Sequence, residues 1–564
     1  MPKTRVSGLG SVGLNADLPP SQIPPNALTQ ALNVITEDGA VRSTIGERLV
    51  FEPANGVWGD RPLLDVRPQY HKTWVDASAN QWVIVSDGVD VYAYSIQGPG
   101  IGERITPTDD DTPTGAPVPW TNGRVTFAIL NGVLVVNSAS SGLFFWAGTG
   151  TVLVAAPGWN SSWRCRQIAA YRYQLVALAM TEGVNEYVHK IRWSTSAQEG
   201  AIPSVWDILL SNDAGDDILG ETEGEIVGAV NVRDQLFIVK EDAVYGMRWI
   251  GGQYIHQVTR LEGGVGTRNP FGFCEMRGQL VVLSTSDILI FDGQNSRSLI
   301  DNRVRKAIFA ALSETNWDAA QVFFNPFISR LQAAFPTSDA STHLGFSLEY
   351  NLEENTFSVY RLNNGFGFDL AFVSTVDGIP TWDTFGAAGQ AHGAGGYGIG
   401  PRWLQTGTWD DQIDGSWNKG VSQPSTPDTL MYESNVEDTE WWLVVRNNSD
   451  TNSDGSPKNC QVGRRGLAFE DVAGKAQLNF VYLEMDGSIP VTFRFGAQDT
   501  LKGAVTWETD DTGTPIFHTI NPGIDETIDP RVTGRFLTWE MTSHDVGSWR
   551  LAGLTFEWEQ AGER

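Results

Sequence analysis

Short apolar runs separated by turn residues recur from about residue 65 onwards. Each recurrence has the same order: an apolar strand, a tight turn, a second strand, a polar turn and a third strand. The copies are QWVIVSDGVDVYAYS from Gln81, GVLVVNSASSGLFFWAG from Gly132, YQLVALAMTEGVNEYVHKIRWS from Tyr173, DQLFIVKEDAVYGMRWIGG from Asp234, GQLVVLSTSDILIFDG from Gly278 and SRLQAAFPTSDASTHLGFSLEYN from Ser329. Their starts lie 51, 41, 61, 44 and 51 residues apart. Several strands repeating at about 40–50 residues is the pattern that β-propeller blades produce. Unrelated hairpins in stacked sandwiches are the competing reading.

The pattern changes outside the repeats. Residues 1–60 hold the Pro-rich stretch DLPPSQIPPNALTQALNV (17–34) and a strand candidate, VRSTIGERLVF (41–51). An arm this rich in proline builds no core alone and must lie along something else. VRKAIFAALSE (304–314) carries Val304, Ile308 and Leu312 at four-residue spacing, which predicts a short amphipathic helix. The segments 403–417 and 427–434 read as further short strands, and the glycine-dense stretch 386–400 as a loop. A polar run at 447–459 marks a break. Beyond it, AQLNFVYLEM, VTFRFGAQ, GRFLTWEMTS and WRLAGLTFEWEQ alternate with period two and predict a β-sandwich, whose strands begin at EWWLVVRN (440–447). The expected organisation is all-β: an arm and first strand (1–60), a propeller of six to eight blades with one inserted helix (61–429), and a C-terminal sandwich (430–564) whose last strand can return to the body.

Composition sharpens the picture in two places. The 39 basic and 67 acidic side chains leave a net charge of −28, which argues against a tight hold on nucleic acid. It still allows a channel through which DNA slides, and an acidic surface that keeps a large protein soluble is the competing reading. Three cysteines, Cys165, Cys274 and Cys460, form no close pair, which fits neither a disulfide framework nor a zinc site and suits a reducing cytoplasm. No apolar run is long enough for a signal peptide or a membrane span.

Candidate chemistry is thin. The seven histidines have no zinc-helix spacing, so no metal or cofactor is expected. GLGSVG (8–13) matches a dinucleotide-binding pattern by letters but lacks a preceding strand. WSTSAQEGAIPSVWD (193–207) resembles the Asp-box turn of sialidase propellers, with Ala197 where an Asp would stand, and that turn is itself structural. Acidic clusters lie at 108–112, 212–225, 409–414 and 521–530, and none follows a calcium-loop pattern. If such loops face a central hole, they form a negative collar, for which Asp213, Asp216, Asp217 and Glu221 are the candidates.

Several segments together resemble the nozzle or hub proteins of short-tailed bacteriophages, β-propeller proteins that prolong the tail tube. They are IPPNALTQALNVITEDGAVRSTIGER (23–48), KIRWSTSAQEGAIPSVWD (190–207), LFIVKEDAVYGMRWIGG (236–252) with LEGGVGTRNPFGF (261–273), LVVLSTSDILIFDGQNSRSLIDNRVRKAIF (280–309), TWDDQIDGSWN (408–418) and WRLAGLTFEWEQAGER (549–564). They run in order through residues 20–420 plus the last strand, while 430–545 match nothing in that family. The resemblance implies a structural virion protein without enzyme activity, assembled in the host cytoplasm as a homo-oligomeric, hexameric ring. It implies attachment to the head-to-tail adaptor, tail fibres or a tailspike on the flank, and double-stranded DNA retained and then released through the channel without sequence-specific binding. On this view Pro19, Pro20, Pro24 and Pro25 belong to an arm that clasps a neighbour. Gly393, Gly395 and Gly396 lie in a loop that can gate the channel. The alternatives are a carbohydrate-binding or glycan-cleaving propeller, and a monomeric propeller that binds a protein partner.

Overall fold

The computed structural model describes residues 2–44, 46–51, 63–96, 102–108, 123–209, 211–252, 255–312, 316–336, 343–365, 368–371, 428–434, 439–446, 452, 456–468 and 474–561. The chain is all-β, with many small antiparallel sheets of four strands compatible with propeller-like blades. In chain order, sheet I holds Tyr70–Val75, Gln81–Ser86, Val91–Ser95 and Glu103–Arg104. Sheet II holds Val125–Leu130, Val133–Ser138, Gly142–Trp146 and Val154–Ala155. Sheet III holds Trp163–Tyr171, Gln174–Glu182, Asn185–Trp193 and Gly215–Ile218. Sheet IV holds Ile226–Val232, Gln235–Lys240, Ala243–Trp249 and His256–Gly263. Sheet V holds Phe273–Met276, Gln279–Leu283, Ile288–Phe291 and Ser296–Ser298. Sheet VI holds Gln321–Asn325, Arg330–Pro336, Leu344–Asn351 and Thr356–Gly365.

The six repeats read from the sequence begin at or beside the second strand of sheets I to VI. Those second strands are the most buried: every residue of Val133–Ser138 and of Arg330–Pro336 is inside. Burial on both faces replaces period-two alternation with a continuous apolar run, which is why these strands stand out.

Sheet VII is assembled differently. Phe368–Ala371, Asp428–Ser434 and Trp441–Arg446 are joined by Glu47–Leu49, which pairs antiparallel with the last of them. The strand at 441–446, expected to open the C-terminal sandwich, therefore hydrogen-bonds to residues 47–49 and 429–434 instead. The candidate strand 41–51 divides between two sheets, with Ala40–Ser43 in one and Glu47–Leu49 in the other.

Apolar side chains pack each sheet on the next. Trp74, Ile84, Leu134 and Trp146 fill the space between sheets I and II, and Leu130, Ile168 and Trp206 that between II and III. Ile191, Ile238 and Met247 join III to IV, and Phe237, Leu280 and Phe291 join IV to V. Tyr360 and Met431 join VI to VII, while Val85, Tyr94, Tyr432 and Leu443 join VII back to I. Fully burying one such aliphatic or aromatic side chain contributes about 1.5–3 kcal/mol.

The C-terminal strands form two sheets, and the N-terminal arm completes both. Lys3–Ser7 pairs along Trp549–Gln560, which also pairs with Ala476–Gly487 and Ala40–Ser43. Gln30–Leu32 bridges sheet VI to Cys460–Ala468, and so links sheet VI to Phe536–Ser543 and Val491–Gln498 in one ten-stranded sheet. The expected helix spans Arg305–Ala311, with Val304 and Ile308 buried in the large core shared by sheets V, VI and the C-terminal strands. No helix among the described residues is long and apolar enough to cross a membrane.

Candidate functional site

The acidic candidates of residues 212–225 sit on and around the outermost strand of sheet III. Neighbouring sheets meet through their first strands: Trp163–Tyr171 touches Val125–Leu130 and Ile226–Val232. Gly215–Ile218 is the fourth strand, three positions away from that line of contact. Asp216 is tied down there, 3.0 Å from Lys190 Nζ and 3.6 Å from Arg192, two cations that Glu182 also approaches at 2.8 and 3.5 Å. Asp213 serves the loop before the strand, since its carboxylate accepts from Ser196 N at 3.1 Å and its carbonyl accepts from Trp193 Nε1 at 3.1 Å. Asp217 and Glu221 are exposed. The four residues thus share one locality, but at the far edge of sheet III from the first strands.

The line where first strands converge is filled by other residues. Tyr70 opens the first strand of sheet I, and its ring centroid lies 6.5 Å from that of Phe271, two residues before the first strand of sheet V. Burial raises the Tyr70 pKa. Arg124 reaches from sheet II to donate to Val227 O in sheet IV at 3.2 Å, and Arg166 from sheet III donates to Ile226 O at 3.1 Å. Arg166 also pairs with Glu225 at 2.7 Å. Burial, with the neighbouring Arg166 charge, brings the Arg124 pKa down to about 10. At this separation the rings of Tyr70 and Phe271 are in contact and leave no passage between them.

A second concentration of charge lies buried where sheets VI and VII meet the arm and the C-terminal strands. Glu349 accepts from Arg446 and from Gln332 Nε2 at 3.2 Å, and Arg330 stands 3.8 Å away. Arg446 also donates to Thr44 Oγ1 at 3.1 Å, and its guanidinium lies 4.1 Å from the centre of the Tyr360 ring. Tyr360 donates to Glu47 and accepts from Lys458, whose Nζ is 3.3 Å from Glu47. Burial works against the charged forms of Glu349 and Arg446. The attraction between the two nevertheless lowers the Glu349 pKa and raises that of Arg446. Burial pushes Tyr360 well up and lowers Lys458. With both signs present and side chains closed off from solvent, this cluster is a rigid joint between segments distant in sequence.

The arm prolines lie along the chain's own C-terminal sheet. Arg464 donates to Pro20 O at 2.9 Å and to Ile23 O at 3.3 Å, and Pro20 starts a short 3-10 turn; Pro19, Pro24 and Pro25 are exposed beside it. The turn at 193–207 is a structural lock, as its resemblance implied: Leu175 N donates to Ser194 Oγ at 3.0 Å, and buried Trp206 meets Trp159 edge-on at 4.8 Å. Gly393, Gly395 and Gly396 lie outside the described residues, as do 403–417. The buried cluster could not be read beforehand, because its members come from six separate segments and none follows a local spacing. No family model matches the chain, and no curated protein matches it either.

Proposed function

We propose that the chain is a structural virion protein, the nozzle or hub that prolongs the tail tube of a short-tailed bacteriophage. Sheets I to VII are read as seven blades of one β-propeller, the last closed by Glu47–Leu49. The observation that carries the reading is the cyclic order of packing, in which each sheet covers the next and sheet VII returns to sheet I. Closure by strands from distant parts of the chain, with a buried ionic joint behind it, suits a part that bears load. Six copies around the tail axis would meet the head-to-tail adaptor at one end and carry tail fibres or a tailspike on the flank.

The net charge of −28 supports a conduit that double-stranded DNA passes without being held. The duplex is assigned to the common axis of the ring of subunits, since Tyr70, Phe271 and Arg124 occupy the centre of each disc. A collar of Asp213 and Asp216 inside one disc is therefore not part of the proposal. Electron microscopy of the purified chain, with its mass in solution, tests the reading. A ring of roughly 370 kDa is expected for six copies of a 61.7 kDa chain. A stable monomer that binds or cleaves glycans would refute it.

A further inference from the structure

The buried joint encloses an amine and a carboxylate in one dry site. Lys458 Nζ lies 3.3 Å from Glu47 Oε1, and the two side chains are only 5% and 1% exposed. The other lysine–carboxylate pairs among the described residues are wetter. Lys3–Glu557 and Lys475–Asp499 each have one side chain at least half exposed. Lys190 meets Glu182 and Asp216 where both acids reach solvent.

Ions closed off from water are costly, and burial disfavours the charged form of each. Lys458 shows the effect, since burial lowers its pKa against the pull of Glu47. Glu47 Oε2 is buried and takes no hydrogen bond among the described residues, so half of the carboxylate lacks the partners that a charge needs. Tyr360 links the two groups in one direction: its hydroxyl accepts from Lys458 Nζ and donates to Glu47 Oε1. That is the arrangement of a proton relay. A proton passing from Lys458 to Tyr360, as Tyr360 passes its own to Glu47, leaves a neutral amine beside a neutral carboxylic acid. The Arg446 guanidinium lies 4.1 Å from the centre of the Tyr360 ring and interacts electrostatically with Glu47. Negative charge developing on the Glu47 carboxyl therefore has a buried cation near it.

We propose that Lys458 and Glu47 condense to an isopeptide bond, a covalent tie between the strand that closes sheet VII and the C-terminal strands. The Nζ lone pair of Lys458 attacks Glu47 Cδ, forming the C–N bond. The bond from Cδ to the protonated oxygen breaks, and that oxygen leaves as water with a proton taken from the nitrogen. The amine and the acid supply every atom, so no oxidant or activating group is required. A fixed, dry site gives the pair the reactivity it lacks in water. Glu47–Leu49 is held to its neighbour strand over three residues only, and the bond keeps that strand from fraying. It joins positions about 410 residues apart, while all three cysteines stay free. It forms within one copy, whatever that copy assembles into.

Mass spectrometry of the full-length chain under denaturing conditions tests the bond. The wild type should be about 18 Da lighter than its sequence mass, the loss of one water. Proteolysis should release a branched peptide that joins the Glu47 segment to the Lys458 segment. K458R keeps a cation beside Glu47 but offers no amine, so it should retain the full mass. Y360F, sampled through expression, should form the bond roughly tenfold or more slowly than the wild type. Circular dichroism confirms that each variant is folded.

A folded wild type of full mass, with no branched peptide, overturns the proposal. Water loss that persists in K458R, or that maps to other residues, overturns it equally. If K458R does not fold, the branched peptide of the wild type decides alone. A Y360F variant that forms the bond at the wild-type rate overturns the relay.

Discussion

Replacing Glu349 by Gln tests whether the buried joint holds the molecule together. The substitution keeps the shape and an acceptor oxygen but removes the negative charge that faces Arg446 and Arg330. Both guanidiniums are buried, so neither gains water in exchange. Breaking one side of a buried ion pair costs about 3–5 kcal/mol. Losing the charge assistance in the bond from Arg446, worth about 1.5–3 kcal/mol, accounts for much of that. Because a chain of this size is prone to unfold irreversibly, the assay is the rate of unfolding in denaturant, followed by tryptophan fluorescence. The variant should unfold at least tenfold faster, and the triple substitution E349M/R330M/R446M, which removes the carboxylate and both guanidiniums facing it, should recover much of the loss. The Glu349 pKa is lower in the fold than its ordinary value of 4.5. Its contribution is thus complete above that value and disappears as pH falls through the folded value. Wild type and E349Q should therefore converge in acid. A variant that unfolds at the wild-type rate at neutral pH would refute the reasoning.

Three further outcomes are expected. His256 Nε2 donates a 2.6 Å bond to Gln174 Oε1, and burial lowers its pKa to about 4, so the unfolded chain binds more protons between that value and 6.5. Stability should decline as pH falls through this window, and H256N should flatten the decline in pH-dependent melting curves. R464M removes the donor to Pro20 O and Ile23 O, and limited proteolysis should then cut within residues 17–28 several-fold faster than in the wild type, with the propeller sheets intact. Burial pushes the Cys165 thiol up to about 12 and also raises Cys460, and both side chains are closed off from solvent, so a thiol reagent should label these two only at the rate of unfolding.

The sequence made the second strands of sheets I to VI legible because their apolar runs are bounded by turn residues, as around Gly132–Ser138 and Gln279–Leu283. It showed strands at 41–51, 427–434 and 440–447 but hid their union in sheet VII, because Glu47–Leu49 is three residues long and lies about 400 positions from its partner at 444–446. The prolines of the arm demand a support, but strand pairing between Lys3–Ser7 and residues 553–557 leaves no trace in either local pattern. Glu349 illustrates why the buried joint was invisible. It stands in LGFSLEYN, where a lone carboxylate in a strand reads as a solvent-facing position until Arg446 arrives from another sheet. The acidic run 212–225 was visible as charge, yet whether it faced the centre or the edge depended on which strand of its sheet it occupied.

The closure by Glu47–Leu49 also sets the order of events during synthesis. Residues 47–49 leave the ribosome early, but their partner, Trp441–Arg446, is made some 400 residues later, and the partner of Lys3–Ser7 later still. At about 5–20 residues per second, the arm waits roughly 20–100 seconds before either sheet can be completed. During that interval sheets I to VI can form one after another while the arm presents unpaired strand edges. Those edges are open to pairing with other nascent chains on the same message. The translation clock, as much as packing, therefore decides whether each arm finds its own chain.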